Sequence, residues 1–489
     1  MNLREKIKEQ DGIGFPGKSF AKNVLEPVFN IQKDNYYKHF IDITRAHVIM
    51  LAEQGIISVK EKNKIVDAIT EIENIDYSQV KYNPQFEDLF FTIEKQLEEM
   101  LGRDLAGKIH TARSRNDICI CEFRMALREK VIDILDAINT LREVLMMLAE
   151  EHVETVMPAY THTQPAQPTT LSHYLLSFYD NLSRDFDRFC RSGDQINKSP
   201  LGAVAITTTG FPISRERTCE LLNFDEIVEN SYDCIAGTDY LMEFASSLMI
   251  LNTSLSKFIK DILDYCTNEF NAFYLSAPYV QISSIMPQKR NPSSLEHCRP
   301  ILGKAIGEAK IIIDTQYNTP YGDIVDSEEE IQEHAYLSVH FTLRAIETMK
   351  NVLATMTVNK EILLQRCKDN FITVTELADT LVRKGGLPFR EAHHLTSIIV
   401  KKILAKGLSP DDISAEFIEE TSKETLGHSV NITAATVKEA LDPVNFVKIR
   451  NIIGGPSPVE TGRMIKNRKR DYLLSREKLE SRRKKYLLK

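Results

Sequence analysis

With only 20 glycines and 18 prolines in 489 residues, the chain is poor in the residues that punctuate loops, which argues against collagen-like, low-complexity and strand-and-turn architectures. It has no uninterrupted apolar run of about 18 residues, so no membrane span is expected. The opening Met1-Asn2-Leu3-Arg4-Glu5-Lys6 is charged, with no apolar stretch behind it, unlike a secretory leader. The 8 cysteines form no Cys-x-x-Cys pair; Cys119-x-Cys121 comes nearest. Reduced, buried thiols in a cytoplasmic protein are the expectation, with no metal site. A Gly-rich phosphate loop that would suggest a cofactor is also missing, and none is expected.

Charge is unevenly spread. The chain carries 61 Lys and Arg against 69 Asp and Glu, a net −8, yet eleven basic and three acidic residues fall between Lys466 and Lys489. Such a segment can be a nucleic-acid arm. Asp471, Glu477 and Glu480 interrupt it and no aromatic ladder accompanies it, so a solvated terminal helix is the better reading and nucleic acid is not an expected partner.

What is present is helix. From Cys121 to His152, apolar residues fall at Leu127, Val131, Ile134, Ile138, Leu141, Leu145 and Leu148, spacings of three and four that predict one long amphipathic helix. Leu171–Phe189, Asp239–Phe270, Ser294–Thr315 and Glu328–Met356 repeat the pattern, and helices this long pack side by side in bundles. Shorter patterns cover Lys38–Gln54, Val59–Ile72 and Glu87–Met100. Ala203–Thr209 is the one short strand candidate, expected to form a small hairpin or loop, so the fold class is all-α. The length sets a prior of roughly three domains. The patterns place a small N-terminal helical domain at 1–108, a central long-helix bundle at 109–361, a C-terminal helical domain at 362–465 and a basic tail helix at 466–489.

Three polar stretches look chemical. The first, Lys108 to Asp117, precedes the first long helix, with Asn116 or Asp117 as the expected cap. Arg113, Ser114, Arg115 and Asn116 beside unpaired backbone N–H groups suit a carboxylate or phosphate. The second, Tyr160 to Pro168, joins two bundle helices and holds His162, a group that titrates near neutrality. Taken alone, His162 reads as a hydrogen-bonded structural histidine. The third, Gln281 to Glu296, presents Lys289 and Asn291 just ahead of a helix that Ser293-x-x-Glu296 is expected to open as a capping box.

Ser283-Ser284-x-Met286-Pro287-x-Lys289-x-Asn291-Pro292 resembles the signature loop of the fumarase/aspartase superfamily, and the stretches around Ser114–Asn116 and Thr161–His162 resemble its other two regions, in the same order. His110-Thr111-x-Arg113-Ser114-Arg115-Asn116-Asp117 with Tyr160-Thr161-His162-x-Gln164 is similar to the argininosuccinate lyase branch, and Tyr317-Asn318 is a further echo. The resemblance implies a three-domain fold with a tetrameric core of long helices, active sites shared between subunits, and elimination of fumarate from an N-substituted aspartate in arginine biosynthesis. It assigns Ser283 as the base, acting as an alkoxide, and His162 as proton donor to the leaving nitrogen. Lys289 and Asn291 would steady the charge that develops on the carboxylate. Ser114, Arg115, Asn116 and Thr161 would bind the small dicarboxylate, with Tyr317 in the same substrate-binding set. A crystallin-like structural use of the fold is the non-enzyme alternative; intact Ser283, Lys289 and His162 count against it.

The departures concern the amine half. The branch follows its Tyr-Asn with a run ending Gln-Glu-Asp-Lys, whereas Thr319-Pro320-Tyr321-Gly322-Asp323-Ile324-Val325-Asp326 stands here. Gly237-Thr238-Asp239 loses an expected arginine, Phe90-Phe91 replaces a histidine after Glu87-Asp88, and Ile282 precedes Ser283 in place of glycine. Arginine is the first expectation for the released amine. Another amine or diamine, as in ethylenediamine-disuccinate lyases, is the alternative, with Asp323, Asp326 and Glu328 available to hold a cation.

Overall fold

A computed structural model describes residues 2–369 and 371–487, and among them five long helices dominate: Arg115–Glu151, Leu171–Ile196, Asp239–Tyr265, Ser293–Gln316 and Glu329–Thr355. Each overlaps its apolar periodicity, the first starting earlier at Arg115, the second running on to Ile196 and the third stopping at Tyr265, short of Phe270. One core gathers Leu127, Ile134 and Leu141 from the first, Leu175 and Leu182 from the second, Phe244 and Leu251 from the third, and Leu302 and Val339 from the last two. A second core holds Phe29, Phe40, Ile65 and Ile93 and draws in Ile118 and Met125 from the start of the first long helix. A third gathers Leu381, Leu395, Ile399 and Ile418. Among the described residues no helix is long and apolar enough to cross a membrane. The cysteines are free thiols, and burial pushes Cys119 and Cys121 well above the usual thiol range.

The basic segment continues a helix that starts earlier, at Pro458, and runs to Tyr486; residues 488–489 lie outside the described residues. Its cations meet carboxylates of the bundle. Arg468 is bidentate to Asp180, Arg482 Nη2 lies 2.6 Å from Asp194, Arg483 Nη2 lies 3.3 Å from Asp136, and Lys469 and Lys485 pair with Glu150 and Asp225. Tyr472 donates to Glu143 at 2.8 Å. Buried Arg142 donates to Asn139 (2.8 Å), Tyr179 (3.0 Å) and Ser475 (3.0 Å), with its guanidinium 4.7 Å from the Tyr179 ring centroid. Exposed ion pairs contribute little singly. This seam is anchored by the buried guanidinium and by Leu479 and Tyr486, which join the bundle core.

Ala203–Thr209 takes the loop alternative, as a chain of turns with Val204 and Thr208 at φ 56 and 66. Two local expectations need correction. The stretch around His162 is a β-hairpin, Val156–Thr161 paired antiparallel with Gln164–Thr170. Pro158, Pro165 and Pro168 hid it, since proline argues against a strand except at an edge or irregularity, and the register does shift after Ala159. The helix at Ser293 opens without a side-chain cap; Ser294 Oγ instead donates to Tyr279 O at 2.9 Å.

Candidate active site

The first stretch is organised by Asp117. Ser114, and neither Asn116 nor Asp117, is the cap: its Oγ accepts from Asn116 N, while the Asp117 carboxylate reaches back to Ser114 N at 3.0 Å. The other Asp117 oxygen accepts from Gly202 N (2.9 Å) and Val204 N (3.0 Å), so one buried carboxylate ties the helix start to the 202–204 turn. Gly202, at φ 85, is required there, since a Cβ would stand 2.6 Å from Arg215 Cγ. Burial pushes Asp117 up to about 6, against the pull of its three N–H donors.

This clamp sets Asn116 and Arg115 side by side. Asn116 Nδ2 donates to Ala205 O (3.2 Å) and to Asp323 Oδ2 (2.8 Å). Arg115 Nη1 donates to Glu87 (3.0 Å) and Asp88 (2.9 Å), and its guanidinium carbon sits 5.5 Å from the Phe91 ring centroid. Thus one of the two phenylalanines in place of the expected histidine flanks Arg115, while Phe90 is buried against Phe40. Arg113 leaves the group: it is buried, donates to Thr44 Oγ1 at 3.2 Å, and burial lowers it to about 10.

Glu328, at the start of the last bundle helix, is pushed up to about 7 by burial, then by Glu329 and Asp323. An acid raised in the folded state takes up its proton before the unfolded chain does. Its contribution to stability therefore grows as pH falls from about 7 towards 4.5. Glu328→Gln is expected to raise the melting temperature at about pH 8 and to flatten the gain between about pH 8 and pH 5, read by thermal melts of variant and parent across that range.

Thr161 and His162 lie at the hairpin tip, exposed, with His162 and Thr163 at φ 50 and 64. Two residues in the left-handed region form the type I′ turn that suits a two-residue hairpin. Asparagine and glycine usually fill those positions, so a histidine there is a strained choice of the kind that gathers at functional sites.

The third stretch is a second, minute hairpin: Gln281 pairs with Asn291 and Ile282 with Arg290. One step beyond the last pair stand Ser283 on one side of the loop and Lys289 on the other. Ser283 Oγ accepts from Ile285 N (3.3 Å) and Met286 N (3.0 Å). Two amide donors on one oxygen favour its anionic form. Lys289 is exposed, and Arg290 anchors the hairpin through Leu275 O at 3.0 Å.

Among the described residues no hydrogen bond or ion pair links the Ser114–Asn116, Thr161–His162 and Ser283–Asn291 stretches within the chain. Tyr317, 84% exposed at the end of its helix, joins none of them. Sequence reasoning missed the Tyr321–Asp233 bond (2.8 Å), and only the departure from the expected run marked that loop. Among the described residues no group of three or more His, Cys, Asp or Glu is placed to hold a metal ion.

A family model described as Lyase matches residues 28–307, and one described as Argininosuccinate lyase C-terminal matches residues 371–448. The chain is 37% identical over 450 residues to argininosuccinate lyase 1 of Shouchella clausii, covering 92% of this chain and 90% of that one. It is 39% identical over 424 residues to the argininosuccinate lyase of Methanocaldococcus jannaschii, covering 86% and 85%. Among solved structures, an EDDS lyase variant with bound fumarate matches with TM-score 0.85 and 31% identity over 99% of this chain and 96% of that one. Class II fumarase of Schistosoma mansoni, at 17% identity and TM-score 0.70 over 88% and 96%, shares the fold.

Proposed function

The chain belongs to the argininosuccinate lyase family within the fumarase/aspartase superfamily and is a carbon–nitrogen lyase, and from that premise we propose that it eliminates fumarate from argininosuccinate to release arginine. The observation that carries the mechanism is the pair of backbone N–H groups on Ser283 Oγ, in the same short hairpin loop that holds Lys289. Ser283 as alkoxide takes the proton from Cβ, and the electron pair moves into the neighbouring carboxylate. The Cα–N bond then breaks, the Cα–Cβ double bond forms, and His162 supplies a proton to the departing nitrogen, directly or through a water. Lys289 and Asn291 hold the charge that builds on that carboxylate. Ser114, Arg115, Asn116, Thr161 and Tyr317 bind the succinyl half.

These groups act together only if copies of the chain share the site, and we place it between subunits of a homotetramer. The length of the first bundle helix supports this. Its 37 residues, at 1.5 Å each, put Ser114 about 55 Å from the other end. The eleven residues from there to His162 reach back at most about 40 Å. About 15 Å therefore remain, more than a four-carbon dicarboxylate spans.

The released amine has a second reading. The loop from Thr319 to Asp326 lacks the residues expected for arginine, and a solved EDDS lyase aligns over nearly the whole chain, so another amine or diamine is the alternative. The test of both is incubation with argininosuccinate and with diamine-derived succinates while fumarate absorbance is followed. Release from argininosuccinate supports the first reading, release from diamine succinates alone supports the second, and no fumarate from any of them overturns the lyase assignment.

A further inference from the structure

The departures from the family pattern cluster in one loop, and the structure shows what that loop touches. Residues 319–326 are tied down at several points. Thr319 Oγ1 donates to Gln316 O (3.1 Å), and Gln316 Nε2 donates to Asp326 O (2.6 Å). Tyr321 donates to Asp233 (2.8 Å) and accepts on its carbonyl from Tyr232 OH (3.2 Å), with the two rings stacked at 6.1 Å between centroids. The result is a placed carboxylate: Asp323 Oδ2 lies 2.8 Å from Asn116 Nδ2. Among the described residues its other oxygen has no hydrogen-bond partner, and the residue is exposed.

Asn116 Nδ2 has two hydrogens, and both are taken, one by Ala205 O and one by Asp323. If Asn116 binds the succinyl half, an incoming carboxylate must displace Asp323 from the amide. The freed Asp323 then stands beside a second negative charge, and the exchange is balanced only when the substrate brings a cation to the same place. Arg115 acts on Asp323 but is shared with Glu87 and Asp88, so this one guanidinium does not offset both negative charges.

We propose that Asp323 is a specificity-determining residue that trades its hydrogen bond with Asn116 for a pairing with a second cationic group on the amine half of the substrate. The inference rests on the lyase reading above and names the substrate class: amino-succinates whose amine carries a further ammonium or guanidinium. Arginine and short diamines both qualify, and simple alkylamines do not.

The reverse reaction tests this. Fumarate is offered with ethylenediamine, arginine or propylamine, and consumption is measured for the parent enzyme, Asp323→Asn and Asp323→Glu. The expected result is a preference of the parent for one or both amines with a charged tail over propylamine. That kcat/KM ratio should fall at least about tenfold in Asp323→Asn, mainly through KM of the charged amine, and recover in part in Asp323→Glu. Addition that proceeds with the ratio unchanged in Asp323→Asn overturns this inference and leaves the lyase reading standing. If the parent neither adds any of the three amines nor releases fumarate from a succinyl amine, the lyase reading falls first and takes the inference with it. Because Asp323 is exposed and asparagine is its isostere, an unchanged melting temperature accompanies the selectivity loss.

Discussion

Ser283→Ala lowers the rate of fumarate release by about 10²–10⁴-fold, the range a positioned general base contributes. The serine has no structural duty large enough to confuse the result. Its hydroxyl accepts two amide hydrogen bonds within a loop that is exposed from Ser284 to Arg290, and the hairpin below is held by the Gln281–Asn291 and Ile282–Arg290 pairs and by Arg290 on Leu275 O. The variant therefore melts with the parent while losing turnover. Fumarate absorbance under saturating argininosuccinate, with a thermal melt on the same preparation, is the measurement. A rate near that of the parent removes Ser283 from the role of base.

The second large effect concerns assembly. Ser283→Ala and Arg115→Ala are each expected to be nearly inactive, the first without its base and the second without its grip on a succinyl carboxylate. When the two proteins are unfolded together in equal amounts and refolded, about a quarter of the sites should draw an intact serine from one copy and an intact arginine from another. Activity therefore returns on mixing, from almost none to a substantial fraction of the parent value. The expectation follows from the Ser293–Gln316 helix: Asp323, past its far end, touches Asn116 beside Arg115, whereas Ser283 lies before its start, about 36 Å of helix away. If activity fails to return while mixed oligomers form, the shared site is wrong.

The long helices were readable because their apolar spacing is dense and uninterrupted, as between Leu127 and Leu148, where burial of each side chain dominates local preference. Pairwise polar contacts between distant segments were not. Asp117 shows as a residue of the polar stretch, yet nothing in the string of letters says that its second oxygen will hold Gly202 and Val204. The hairpin under His162 was hidden by prolines that count against strands in any local reading. Arg113 and Arg115 look equivalent in sequence, and only packing reveals that the first turns inward to Thr44 and the second stays near the surface. The Ser283 loop was legible through its resemblance to a family, since by composition it is an ordinary polar loop.

The seam formed by the 458–486 helix bears on how the chain reaches this structure. Its bonds join residues 260 to 347 positions apart, as in Lys485 to Asp225 and Arg483 to Asp136, so they close long loops of chain and form late. Until then Asp136, Glu150, Asp180, Asp194 and Asp225 stand without their cations, and the approach of the helix is drawn by long-range attraction that dissolved ions weaken. Refolding is thus a late-closing process whose final step slows in concentrated electrolyte, even where the finished protein, its Arg142 sealed from solvent, hardly notices the same change.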